Sequence, residues 1–367
     1  MAETENEDYL SRQLITYIGN KRGLLGFIGH ALDQVKSRLG REKLCLLDLF
    51  SGSGVTARFF KAHARDLLVN DLEPYAETIN RCYLANKSEL PLAELGDQYR
   101  RLSSRLEHEP LRRGFLAELY APQDDREIRK GERVFYTSRN ARYLDTARQY
   151  IEELDIPSRP FFLAPLLSEA SVHANTAGVF KGFYKDRETG RGRYGGSGDY
   201  ALNRIKGDIT LPFPIWSNFE CPVYIYRKDA NQLTDEIGEV DLAYLDPPYN
   251  QHPYGSNYFM LNLILRYERP EILSPVSGIP PGWNHSDYNK RGSAIHALTE
   301  LVKKIKAKFL LISFNSEGFI SQGEMMSLLE KIGKVVIMET PYNTFRGSRN
   351  LKNRGLHVKE YLYLVEK

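Results

Sequence analysis

Residues 44–54 read LCLLDLFSGSG, an apolar run that ends in an acid and then passes into two glycines. A continuous apolar run of this length is typical of a strand that is buried on both faces of a parallel sheet. Gly52 and Gly54 can adopt backbone angles that other residues avoid, so they predict a tight turn that lets a ligand approach the main chain. The stretch therefore predicts a central strand of an open α/β sheet with a ligand site at its carboxyl end.

Strand and helix patterns alternate on both sides of this stretch, which predicts a largely parallel sheet. The predicted strands are 44–50, 66–71, 240–246, 308–314, 334–340 and 357–367, the last two as an antiparallel pair. The predicted helices between them are 53–63, 74–86, 257–268 and 323–332.

The middle of the chain lacks this alternation. Its helical patterns are followed by a loop, residues 178–200, that is rich in Gly, Arg and Tyr. We therefore expect a catalytic domain formed by residues 1–89 and 221–367, with residues 90–220 inserted as a mainly helical lobe. A second irregular stretch, residues 274–293, is long enough to indicate a functional loop.

Composition excludes several classes of protein. Hydrophobic residues make up 42% and charged residues 26% of the 367, which is ordinary for a globular protein, and the net charge is only +3. No apolar run approaches the roughly 20 residues that span a bilayer, and the polar, acidic start does not resemble a signal peptide. The three cysteines lie far apart and the histidines lack metal-ligand spacing. We expect a cytoplasmic protein without a disulfide, a metal site or a membrane segment.

Asp71 ends the second predicted strand, where an acid can accept both hydroxyls of a ribose. Gly52, Gly54 and Ala57 also satisfy the dinucleotide-binding pattern G-x-G-x-x-A. A nicotinamide-dependent oxidoreductase therefore remains an alternative on these residues alone.

A more specific pattern is Asp246-Pro247-Pro248-Tyr249, directly after the strand 240–246. The Asp246 carboxylate and the Pro247 carbonyl can accept the two hydrogens of an exocyclic amine, and two prolines stiffen the turn. Tyr249 offers a face on which an extruded base can stack. Accepting both hydrogens stabilises the positive charge that develops on the amine when it attacks a methyl donor. The pattern thus indicates amine methylation on a base that has left the duplex.

Two clusters of basic residues can contact phosphates. We expect DNA contacts from Lys181, Lys185, Arg187, Arg191 and Arg193 in the first, and from Arg346, Arg349, Lys352 and Arg354 in the second. His252 and Tyr254, just after the tetrapeptide, are candidates for the target-base pocket.

In order along the chain, these motifs resemble the alpha group of adenine-specific DNA methyltransferases, the Dam-like group. The resemblance begins at Tyr17-Ile18-Gly19-Asn20-Lys21, where Asn20 replaces a glycine of the family pattern. It implies a Rossmann-like fold with a mostly parallel seven-stranded sheet and helices on both faces, S-adenosylmethionine as the cofactor and an inserted lobe that recognises DNA. The implied cofactor-binding residues are Tyr17, Gly19, Lys21, Asp48, Phe50, Gly52, Gly54, Asp71, Asp229, Ala230 and Asp246.

We therefore expect a site-specific DNA adenine-N6 methyltransferase that flips its target base. Residues 173–185 are similar to members of restriction–modification systems, so the expected partners are double-stranded DNA and a restriction endonuclease for the same site, with the protein acting as a monomer. The alternatives are a cytosine-N4 or RNA adenine-N6 methyltransferase, a non-catalytic DNA-binding module and the oxidoreductase.

Overall fold

The computed structural model describes residues 4–196, 201–343 and 357–367. These residues form a seven-stranded sheet in the order β3-β2-β1-β4-β5-β7-β6. The strands are β1 Leu44–Asp48, β2 Ala64–Asn70, β3 Val223–Tyr226, β4 Val240–Leu245, β5 Ala307–Asn315, β6 Lys334–Asn343 and β7 His357–Glu366. Only β7 runs antiparallel to its neighbours β5 and β6. The mostly parallel seven-stranded sheet is thus confirmed.

Helices cover both faces of the sheet, because alternate strand residues point to opposite sides. Leu46 and Leu242 pack with the helix Leu25–Leu39 on one face. Leu47 and Ala243 pack with the helix Arg291–Lys304 on the other. Continuous burial along β1 and β4 explains why these strands carry apolar residues at almost every position.

The helices have the following bounds in the described residues. They are α1 Glu7–Ser11, α2 Leu25–Leu39, α3 Val55–Lys61, α4 Pro74–Tyr83, α5 Leu92–His108, α6 Phe115–Leu119, α7 Ser138–Glu152, α8 Pro160–Val172, α9 Leu202–Lys206, α10 Ala230–Leu233, α11 Tyr254–Asn257, α12 Phe259–Arg266, α13 Arg291–Lys304 and α14 Gln322–Leu329. In the described chain, no helix combines the length and apolar character that a bilayer crossing requires.

The middle of the chain is helical, as its sequence predicts, with α5 to α8 replacing any strand–helix alternation. Its buried residues form one apolar core with residues of α4 and α12, which flank the sheet. The division into residues 1–89 with 221–367 and an inserted lobe 90–220 stays a prediction.

One strand was missed from the sequence, and one predicted strand pair is confirmed. The edge strand β3 has no counterpart among the strands located from sequence, since it has only four residues and is half-buried. The predicted antiparallel pair at the end of the chain is present as β6 and β7. The segment that connects them, with Arg346, Arg349, Lys352 and Arg354, lies outside the described residues.

Candidate active site

A cleft of about 870 Å³ opens at the carboxyl ends of the central strands. The parallel register places Asp48 beside Val69 of β2 and Tyr244 of β4, so the segments that follow these strands meet at one edge of the sheet. Most of the predicted cofactor-binding and catalytic residues line this cleft, together with Tyr254. They are Tyr17, Gly19, Lys21, Phe50, Gly52, Asp71, Asp229, Ala230, Asp246, Pro248 and Tyr254.

The glycine turn after β1 forms the floor of the cleft. Gly52 has a φ of +52°, in the left-handed region, and a Cβ built there would lie 2.6 Å from the ring of Tyr17. Gly54 caps α3 with a φ of +74°. A Cβ at Gly54 would also lie 2.6 Å from the Asn80 side-chain oxygen, so both positions need glycine because of backbone angle and space together.

Asp71 is held rigidly at the tip of β2. Its Oδ2 accepts a hydrogen bond from the Gly52 backbone N–H at 2.7 Å, and its Oδ1 accepts one from the Glu73 N–H at 2.9 Å. Each oxygen keeps a further lone pair, so the carboxylate can still accept two hydroxyl groups. This geometry suits a ribose.

Asp48 lies beneath the cleft and is not one of its lining residues. Its side chain is buried, and neither carboxylate oxygen has a hydrogen-bond partner within the described residues. Burial raises the pKa of Asp48 well above its ordinary value, and the negative charges of Asp246 and Asp71 raise it further. The carboxyl edge of the sheet therefore concentrates acidic groups that a positively charged ligand would stabilise.

The acid–diproline–tyrosine corner follows β4. Asp246 opens into the cleft, and the Lys21 Nζ lies 3.3 Å from its Oδ1. Tyr249 is half-buried, with its ring edge-on to Phe314 and its hydroxyl 3.8 Å from the position of a Cβ on Gly19. Asp246 therefore faces the cleft, whereas the ring of Tyr249 packs against the apolar core at the edge of the cleft. Pro247, like Asp48, Gly54 and Tyr249, is not among the lining residues.

The segment Tyr17–Lys21 forms the opposite wall and is fixed by a group of tyrosines. Tyr17 stacks on Tyr254 and Tyr258, with ring centroids 5.0 and 4.8 Å apart. The Ile18 N–H donates to the Tyr258 hydroxyl at 2.7 Å, and the Tyr254 hydroxyl donates to the Ile18 carbonyl at 3.3 Å.

Asn20 explains why this wall tolerates the loss of a family glycine. Its φ of −55° is an ordinary value, and its side-chain oxygen accepts from the Arg22 N–H at 2.8 Å. Asn20 thereby caps the 3₁₀ turn Lys21–Leu24, which an asparagine does well.

An apolar end of the cleft is formed by Phe50, Ala230 and Tyr288. The rings of Phe50 and Tyr288 meet edge-to-face at 5.2 Å. Asp229 lies beside them, and its Oδ1 caps α10 by accepting from the N–H groups of Asn231 and Gln232. A flat aromatic base fits between such walls.

The irregular stretch 274–293 supplies cleft residues that the sequence analysis did not single out: Asn284, Ser286, Tyr288 and Asn289. Asn284 donates to the Leu72 carbonyl and to Glu73, and Asn289 donates to the Asn250 carbonyl at 2.8 Å. The stretch thus connects the turn after β2 with the end of the catalytic corner. In the sequence, only the length of this irregular stretch indicated that it takes part in the site.

Glu360 and Ser313 also escaped the sequence analysis as site residues. Glu360 Oε1 lies 2.6 Å from the Lys21 Nζ and accepts from the Ser313 hydroxyl at 2.9 Å. A buried position for an acid directly before the apolar run 361–365 of β7 was the signal that could have found it.

The first basic cluster lies on the surface of the middle region. Lys181, Arg187, Arg191 and Arg193 are exposed and Lys185 is half-buried. Lys181 borders a groove with Gln251 and Pro253, next to the acid–diproline–tyrosine corner. Arg187 and Arg191 lie on a hairpin closed by a bridge between Lys185 and Gly192, and Arg193 follows it.

Comparison with known proteins agrees with this geometry. A family model described as D12 class N6 adenine-specific DNA methyltransferase matches residues 17–328. The Type II methyltransferase M.NlaIII of Neisseria lactamica is 30% identical over 96% of this chain and 99% of its own length.

Two further relatives extend the match. The Type II methyltransferase M.CviAII of Paramecium bursaria Chlorella virus 1 is 27% identical over 96% of this chain and 98% of its own length. The modification methylase StsI of Streptococcus sanguinis is 28% identical over 96% of this chain and 52% of its own length. These matches run through the segments that form the cleft.

Proposed function

This chain belongs to the D12 class of N6 adenine-specific DNA methyltransferases, and we propose that its cleft holds S-adenosylmethionine beside the corner Asp246–Tyr249, where a flipped adenine is methylated. The activity is site-specific methylation of adenine N6 in DNA. The family description answers the choice between adenine and cytosine and between DNA and RNA that the sequence motifs left open.

The residues of the cleft fit the proposed cofactor. When bound, S-adenosylmethionine supplies a methyl group that is activated by a positively charged sulfur. The acidic edge formed by Asp48, Asp71 and Asp246 favours such a cation, and Asp71 has lone pairs for the ribose hydroxyls. The apolar end at Phe50 and Ala230 suits the adenine ring, and the turn at Gly52 and Gly54 leaves room for the methionine part.

The observation that carries the proposed mechanism is the position of Asp246 in the cleft. Its Oδ1 faces Lys21, so Oδ2 is available to accept a hydrogen from the target amine. The Pro247 carbonyl is the proposed acceptor for the second hydrogen. As the nitrogen gains the methyl carbon it becomes positive and must lose a proton, and the Asp246 carboxylate is placed to receive it.

The surroundings of the corner suit a base taken from the duplex. Tyr17 and Tyr254 line the cleft with Asp246, and Tyr249 lies in the corner itself, so aromatic side chains are close to the proposed position of the base. Lys181 borders the adjoining groove, where a phosphate of the distorted strand can lie. We assign DNA binding to this groove and to both basic clusters.

The wider context is proposed from the relatives. M.NlaIII and M.CviAII are Type II methyltransferases, and StsI is a modification methylase. We propose that this protein, acting as a monomer, protects a DNA sequence that a companion restriction endonuclease cuts.

The test is transfer of a labelled methyl group to duplex DNA. The wild type should yield N6-methyladenine, and Asp246→Asn should reduce turnover by about 10³-fold or more because an amide cannot receive the proton. Asp235→Asn is the matched control, since Asp235 is an exposed acid outside the cleft. Asp246→Asn should still bind DNA. Full turnover by this variant would refute the mechanism.

A further inference from the structure

Three charged side chains from distant parts of the chain meet beside the cleft. Lys21 is only 5% exposed and Glu360 only 2%, and their charged atoms lie 2.6 Å apart. The same Lys21 Nζ lies 3.3 Å from the Asp246 Oδ1, whose side chain is 18% exposed. We call Asp246, Lys21 and Glu360 the charge triad.

The fold places Glu360 at this edge because β7 is antiparallel to its neighbours. The carboxyl ends of β4 and β5 lie at the cleft, and the antiparallel register sets Glu360 opposite Asn315 at the end of β5. Ser313 on β5 donates to the same Glu360 Oε1 that faces Lys21. Burying an acid without such partners would cost free energy, so Lys21 and Ser313 explain how this position accommodates a glutamate.

We propose that Glu360 is a positioning residue for methyl transfer, which holds Lys21 and offsets its charge so that the charge triad stays net negative towards the target amine. The inference rests on the role proposed above for Asp246. Glu360 itself does not touch the substrate and acts through Lys21.

The count of charges explains why the third member is needed. Lys21 alone would cancel the charge of Asp246, leaving the corner neutral towards an amine that becomes positive during the reaction. With Glu360 the triad carries one net negative charge. The distances agree with this division, since Lys21 lies nearer to Glu360 than to Asp246.

Other titratable groups face Asp246 from the elements packed around it. In the described part of the chain they are Asp48 at the end of β1, Tyr244 on β4, Tyr249 in the corner and Tyr254 on α11. Burial raises the pKa of Asp246 to about 6, Lys21 opposes this rise and Glu360 adds to it. Because the amine needs the ionised form, turnover of the wild type should fall as the pH drops through this range.

The test is the pH dependence of kcat for Glu360→Gln, Lys21→Met and the double variant. Glu360→Gln should lose at least about tenfold in kcat at pH 8, with a change of less than about twofold in the affinity for S-adenosylhomocysteine. The pH below which kcat falls should be lower in Glu360→Gln, because Glu360 raises the pKa of Asp246. It should be higher in Lys21→Met, because Lys21 lowers that pKa. The double variant restores one net negative charge, so the pH at which its kcat falls should return towards the wild-type value. Its loss of kcat should also be smaller than the product of the two single losses.

Glu339→Gln is the matched control, because Glu339 lies on β6 next to β7 but is exposed and pairs with Lys359. It should behave as the wild type. If Glu360→Gln does not fold, the double variant carries the test, since it buries no unpaired charge from this pair. The inference would be overturned if the pH dependence of kcat were the same in the variants and the wild type, or if the two single losses of kcat simply multiplied in the double variant. Either result would leave Glu360 with a structural role only. If Asp246→Asn retains turnover, the mechanism itself fails, whatever the variants of Glu360 do.

Discussion

Gly52 shows how much of the cleft depends on a single residue. The backbone there is left-handed, and the Tyr17 ring occupies the space that a side chain would need. Its N–H also donates to Asp71, so the same residue fixes the acid that is proposed to hold the ribose.

We predict that Gly52→Ala lowers the affinity for S-adenosylhomocysteine by at least about tenfold, because the methyl group displaces Tyr17 and strains the turn. Isothermal calorimetry measures the effect. Gly238→Ala is the control, since no atom lies within 4 Å of a Cβ at Gly238. Equal affinities of the two variants would contradict the role of this turn.

At the level of elements, the N-terminal wall depends on α11 and α12. Tyr258, the residue between these helices, is fully buried and accepts the Ile18 N–H, while its ring stacks on Tyr17. A backbone segment without regular structure is thus held in place by the hydroxyls and rings of two tyrosines, Tyr254 and Tyr258.

Tyr258→Phe should keep the stacking but leave the Ile18 N–H without its acceptor. We expect a loss of about 1 kcal/mol in the free energy of unfolding and weaker cofactor binding, because the backbone beside Tyr17 loses its anchor. Denaturant titration and calorimetry report the two effects. Tyr224→Phe, at an exposed position, should change neither. An unaltered cofactor affinity in Tyr258→Phe would argue against this anchoring.

Elements with strong local patterns could be predicted from sequence. The buried runs that became β1, β4 and β5 were located within a residue or two, and the glycine turn and the acid–diproline–tyrosine corner follow directly from them. The edge strand β3 was missed because four half-buried residues carry little periodicity. Its pairing with β2 depends on contacts across about 150 residues of chain.

The same reason explains the missed site residues. Asn284 and Tyr288 belong to an irregular stretch whose position depends on contacts with Glu73 and Asn231. Glu360 becomes a site residue only when β7 inserts between β5 and β6. Such placements arise from long-range packing, which no local pattern encodes.

At the scale of the whole molecule, the middle region and the catalytic corner share one surface. Lys181 from the middle region and Gln251 from beyond the corner line the same groove, which also includes Trp283. This arrangement brings a basic side chain next to the place where a base would leave the duplex.

Lys181→Ala should weaken DNA binding and reduce the slope of log affinity against log salt concentration by about 1, as expected for the loss of one phosphate contact. Fluorescence anisotropy at several salt concentrations measures both. Lys303→Ala on α13, outside this groove, is the control and should leave the slope unchanged. A slope identical to that of the wild type in Lys181→Ala would assign the phosphate contacts elsewhere, including the second basic cluster.

The pairing of Lys21 with Glu360 joins positions that are 339 residues apart. During translation, one partner leaves the ribosome long before the other has been made. A polypeptide that ends before Glu360 therefore lacks one of the two carboxylates that face its lysine, and the charge triad is completed only once β7 has been synthesised.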